Sequence, residues 1–123
     1  MQHLSQGDDT ATLSDAEKAI ALGDETDPAV ALAYAWCAEV HTDRGDLAGA
    51  QADADRAVAL NPRLPAVHLA RARLHMIQEN YQAALSDIHV ALTLEPDSAT
   101  GYAYRAAAYL ALENSQSALA DAN

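Results

Sequence analysis

Phenylalanine is absent from this sequence, and lysine and cysteine occur once each, as Lys18 and Cys37. A lone cysteine excludes an internal disulfide framework and a thiol-rich metal centre. The shortage of lysine leaves 7 basic residues against 18 acidic ones, a formal charge of −11. That balance lacks the basic stripe a phosphate backbone requires and argues against nucleic acid as a partner. It permits a basic partner, although a solvated, solubility-promoting surface accounts for the same charge. No apolar run approaches the ~18–20 residues of a membrane span. Met1–Asp9 has no signal-peptide core either. The expectation is a soluble, cytoplasmic chain with no membrane partner. Proline (4) and glycine (5) are few and clustered, so they punctuate elements rather than form linkers.

Alanine is what the sequence has in abundance, within an apolar share of 50%. Alanine is the best helix former, and a core built on it needs close helix-on-helix packing. At 123 residues the chain is at most one domain, and its expected class is all-α.

The chain repeats itself. "GDLAGAQADADRAVALNP" (Gly45–Pro62), "ENYQAALSDIHVALTLEP" (Glu79–Pro96) and "ENSQSALADAN" (Glu113–Asn123) align at a spacing of 34 residues. Ala50, Ala84 and Ala118 share a column, as do Ala57 and Ala91, Leu60 and Leu94, and Pro62 and Pro96. Upstream, Tyr34, His68 and Tyr102 align, then Ala38, Ala72 and Ala106, then His41, His75 and Tyr109. Tyr102, Arg105, Ala106 and Tyr109 stand at i, i+3, i+4 and i+7, one face of a helix. Each unit therefore reads as two helices joined by a short turn. Proline opens the first helix at Pro65, and Glu95-Pro96 stops the second. "QGDDTATLSDAEKAIAL" (Gln6–Leu22) supplies the turn and second helix of a further unit, after a stub at His3-Leu4. One interval of 38 residues accommodates "GDETDP" (Gly23–Pro28), where Asp27 and Pro28 suit an N-cap and first turn. The prediction is seven helices or helix pieces, with pairs near Asp27–Arg44/Leu47–Leu60 and Pro65–Gln78/Tyr81–Leu94.

A 34-residue helix–turn–helix with small residues in column and a closing proline resembles the tetratricopeptide repeat, over nearly the whole chain. "YAYRAAAYLALENSQSAL" is very similar to a typical member. The family's early aromatic matches Tyr34 and Tyr102 but not His68, and its Leu-Gly pair is replaced by Cys37-Ala38, Arg71-Ala72 and Arg105-Ala106. The resemblance implies a right-handed superhelical solenoid of antiparallel helix pairs in a single domain. Its parts would be a partial repeat (1–26), two repeats (27–62 and 63–96) and an incomplete repeat (97–123), as if cut from a longer array.

Arg71 with Asp87, and Arg105 with Asp121, place a guanidinium and a carboxylate at matching heights on paired helices, where each would satisfy the other at a half-buried seam. An anion-binding arginine pair is the functional alternative. In the first full unit Cys37 replaces the arginine, so Asp53 is expected to lose its counterpart. Cys37-x3-His41 with His75 invites a zinc reading, yet the histidines occupy a column where the family packs tyrosine, and further ligands are not evident. His68 and His75 flank Arg71 without a nucleophile, and Asp53 and Asp55 lack a calcium loop's glycine and glutamate. No enzyme, metal or cofactor is expected.

Stacked two-helix units curve around a groove. By the resemblance, its lining is Leu32, Ala35, Glu39, Thr42 and Asp43 from the first full unit. Ala66, Leu69, Arg73, Met76 and Ile77 come from the second, and Thr100, Ala103, Ala107 and Leu110 from the last. Independently, Leu69, Arg73, Met76 and Ile77 form a stripe at helical spacing outside the pairing face. The implied function is a non-catalytic scaffold that binds a protein, peptide or helix through a mostly apolar groove. The alternatives are a self-assembly module, a homodimer through open repeat ends, and an accessory array of a larger enzyme. The family's carboxylate clamp for chaperone tails is not expected, because Ala35, Glu39, Ala70, Thr100 and Tyr104 stand at its basic positions.

Overall fold

The computed structural model describes the backbone of residues 2–122 and the side chains of residues 10–114. It contains six helices: α1 (Gln2–Leu22), α2 (Pro28–Asp43), α3 (Leu47–Leu60), α4 (Pro65–Ile77), α5 (Tyr81–Leu94) and α6 (Ala99–Ala122). Local chemistry sets the inner boundaries. Pro28 and Pro65 occupy first helical turns, and the Asp27 and Asp46 carboxylates accept from the amides of Ala29 and Gly49 at 2.9 and 3.0 Å. Helices α2 and α4 end in the same way, 34 residues apart. The amides of Asp46 and Asn80 reach back to the carbonyls of His41 and His75 at 2.9 and 2.8 Å. The residue before each is left-handed, with φ of 81° at Gly45 and 61° at Glu79.

Packing runs along the array. Helix α1 lies on α2, α2 pairs with α3, α4 with α5, and α5 with α6, while α2, α4 and α6 touch in succession. Among the described residues, no helix contacts one more than two elements away, the short-range pattern of a repeat stack. Alanine columns make the close approaches. Ala38, Ala50 and Ala54 pack with Leu74, and Ala72, Ala84 and Ala108 with Ile88 and Leu92. At the first turn of α6 the backbone passes close to α5: a Cβ on Gly101 would lie 2.7 Å from Leu92 Cδ2 and would force that side chain to shift.

The two ends depart from the sequence expectation. Six helices form instead of seven pieces, because α6 runs through Glu113 without turning, and α1 likewise runs on through Gly7. Glu113-Asn114 is the same dipeptide as Glu79-Asn80, so local sequence does not decide. A left-handed glutamate costs roughly 1–2 kcal/mol, and at Glu79 the packing of α5 against both α4 and α6 offsets it. Ala106, expected at a close helix approach, is exposed, as are Tyr102 and Tyr109 at 47% and 57%. At the other end Leu13 and Ile20 pack against Ala16, Ala33 and Cys37, so α1 covers one flank of α2. No helix among the described residues is long and apolar enough to cross a membrane.

Candidate functional site: the concave face

Helices α4 and α5 bring Arg71 and Asp87 together. Nε and Nη2 of Arg71 each donate to an Asp87 oxygen at 2.9 Å, and Nη1 reaches Asp55 at 3.3 Å. Hydrogen bonding to Asp87 raises the Arg71 pKa despite partial burial. Asp87 is 5% exposed and has two further neighbours: His68 Nδ1 at 3.4 Å and His75 Nε2 at 3.7 Å. His68 Nε2 donates to the Pro62 carbonyl at 2.6 Å, fixing the ring between the α3–α4 loop and α5. Asp53 is not stranded where Cys37 replaces the arginine, because His41 Nε2 stands 3.5 Å away. The histidines at the positions where tyrosine packs in the family, His41 and His75, thus face Asp53 and Asp87, contacts that the sequence pattern alone does not reveal. Arg105 stacks on Tyr102, 5.1 Å from the ring centroid, and the expected partner Asp121 lies outside the described side chains. Burial pushes the Cys37 thiol up to about 11, with Asp53 and Glu17 adding to the effect. Among the described residues, no group of three or more His, Cys, Asp or Glu is placed to hold a metal ion.

The residues expected to line the groove divide into three kinds. Ala35 and Thr42 are buried: Ala35 packs with Ala31, Ala57, Val67 and Ala70, and the Thr42 hydroxyl donates to the Ala38 carbonyl at 2.7 Å. Met76 packs against the Ala72–Ile88 cluster. Leu32, Glu39, Ala66, Leu69 and Arg73 are half-buried, while Asp43, Ile77, Thr100, Ala103, Ala107 and Leu110 are exposed.

A pocket of about 240 Å³ opens where α2, α4 and α6 converge. Helix α2 contributes Ala35, Trp36 and Glu39, and α4 contributes Pro65, Ala66 and Leu69. Glu95, Ser98, Thr100 and Tyr104 close the far side. Small-molecule sites span roughly 300–1,000 Å³, so this volume suits one side chain of a longer ligand. Burial raises the Glu39 pKa, against the pull of Arg73 and with the push of Asp43. Arg73 donates to Asp43 rather than to Glu39. Burial also raises the Tyr104 pKa, and the Glu39 charge contributes. Trp36, which is not among the residues expected from the sequence, is 45% exposed at the pocket rim. Its signal was the helical spacing Trp36, Glu39, Asp43, which puts the one tryptophan on the groove-facing side.

Antiparallel helix pairs at a 34-residue register, ended by matching left-handed turns and stacked so that first helices line one face, define a tetratricopeptide-repeat fold. Solved structures agree. The first tetratricopeptide-repeat domain of human RPAP3, determined by NMR, superposes with a TM-score of 0.77 at 20% identity, covering 94% of this chain and 88% of that one. The first such domain of Spaghetti (RPAP3), bound to the HSP90 peptide SRMEEVD, gives 0.73 at 20% identity, covering 91% and 86%. No protein-family model and no curated protein matches the sequence.

Proposed function

We propose that this chain is a non-catalytic interaction module that binds an extended peptide segment of a protein partner across its concave face. The observation that carries the reading is the pocket, whose walls come from three successive first helices and combine aliphatic surface (Ala66, Leu69) with an exposed tryptophan. Exposed aromatics beside apolar seats are the usual anchors of protein recognition. A neighbour of the same fold binds a peptide, which supports the class of ligand. That acidic peptide has the wrong charge for this groove, since Glu39 and Glu95 line the pocket and no basic residue does. The test is selection of heptapeptides from a random display library on the whole chain, read by Trp36 fluorescence. Selected peptides should shift the emission saturably, and Leu69→Lys should abolish the effect while leaving the helical circular dichroism intact. Peptides that bind Leu69→Lys unchanged would place the binding surface elsewhere.

Self-association is a second reading, favoured by α6. Tyr109 and Leu110 are 57% and 59% exposed on α6, a face that a second copy would cover. Light scattering at tens of micromolar checks it: a dimer is expected, and a 13.0 kDa monomer refutes it.

A further inference from the structure

We propose that the segment taken by the concave pocket is cationic, with an arginine or lysine side chain entering between Trp36 and Tyr104 against the Glu39 carboxylate. The inference rests on the peptide-binding reading and narrows it to one chemistry.

Three features of the pocket point the same way. The first is an unanswered carboxylate. Glu39 is half-buried in the pocket wall, yet it makes no hydrogen bond or ion pair among the described residues. The guanidinium that influences it electrostatically, Arg73, gives its hydrogen bond to Asp43. A carboxylate taken partly out of water without a donor is destabilising, and a ligand that brings a donor removes that penalty. The second feature is charge. Of the ten residues around the pocket two are acidic, Glu39 and Glu95, and none is basic. The formal charge of −11 extends the same sign over the whole molecule and would draw a cationic segment in from a distance. An acidic segment would meet only like charge in the pocket. The third is aromatic surface. Tryptophan provides the best face for a cation, and a planar guanidinium can stack on it while forking to a carboxylate. Trp36 precedes Glu39 by one helical turn, so both groups border the same opening. Arginine is therefore expected to outrank lysine. The volume of about 240 Å³ admits one such side chain with its aliphatic stem against Leu69.

The composition of the selected heptapeptides tests this directly, followed by titration of blocked synthetic copies. One position should be enriched in arginine or lysine. Replacing that residue by glutamine should weaken binding about 10-fold, close to 1.4 kcal/mol, and Glu39→Gln should weaken it to a similar degree with the fold intact. Raising salt from ~50 to ~500 mM should weaken the wild-type complex more than the Glu39→Gln complex. Peptides that shift Trp36 emission but are acidic or indifferent to charge would overturn the cationic assignment and leave the groove reading standing. Peptides that leave Trp36 unaffected would overturn both. Equal affinity of wild type and Glu39→Gln for an arginine peptide would also overturn it.

Discussion

Replacing Arg71 by methionine isolates the buried ion pair between α4 and α5. The change removes two hydrogen bonds of 2.9 Å from a carboxylate that is 5% exposed. His68 at 3.4 Å and His75 at 3.7 Å remain, both too distant to replace them fully. Stranding one member of a buried pair costs about 3–5 kcal/mol. Arg71 is about a quarter exposed, with 26% of its side chain accessible, so water can enter the vacated space. Partial rehydration brings the expected loss down to ~2–3 kcal/mol. In a domain of this size that corresponds to a fall in Tm of roughly 10 °C. Removing both charges, as Arg71→Met with Asp87→Leu, should recover most of the loss and lie within ~1 kcal/mol of wild type, because a well-packed apolar pair often equals a buried salt bridge. Urea denaturation followed by circular dichroism and Trp36 fluorescence supplies the four corners of the cycle. A loss below ~0.5 kcal/mol for Arg71→Met would class the pair with ordinary surface ion pairs. A double variant less stable than either single one would show that the charges do not depend on each other. Either result refutes the reasoning.

Glu39→Gln should raise stability at neutral pH, because burial raises the Glu39 pKa above the ordinary value of 4.5. The unfolded chain ionises first as pH rises, so the penalty grows through the window above 4.5 and is absent below it. Melting curves of the two proteins should therefore converge in acid, and a constant difference would contradict the assignment. Glu79→Gly relieves a left-handed backbone with φ 61° at the position where the preceding repeat uses Gly45. A gain of about 0.5–1 kcal/mol in urea denaturation is expected, and a loss would show that the turn is not strained. Cys37 is buried with its thiol pushed up to about 11. Labelling by an aromatic disulfide at pH 8 should thus follow global unfolding, and immediate reaction would show that α1 does not shield α2.

The central four helices are legible in the sequence because their boundaries are written locally. Proline at Pro28 and Pro65, the cap at Asp27 and the Glu95-Pro96 stop mark ends of α2, α4 and α5 within one or two residues. The ends of the array are not written that way. Glu79-Asn80 turns and Glu113-Asn114 stays helical, so the dipeptide alone does not decide the turn, and tertiary packing is a quantity that a local pattern does not contain. The candidate site is marked in the sequence only as a helix face, and the pocket on it is not. Periodicity marks Leu69 and Arg73 as facing away from the paired helix, but only the approach of α2, α4 and α6 shows that Ala35 and Thr42 are buried. It also brings Trp36, Glu95 and Tyr104 around one opening. The same limit hid the His41–Asp53 contact, which depends on the crossing of α2 and α3 rather than on either sequence alone.

The peptide-binding reading is tested most directly by mapping backbone amide shifts of the whole chain during titration with a selected arginine-bearing heptapeptide. The expected result is a contiguous set of saturable changes at Trp36, Glu39, Leu69 and Tyr104, with α3 and α5 little affected. Changes confined to α3 and α5, or to the Tyr109–Leu110 face of α6, would contradict it.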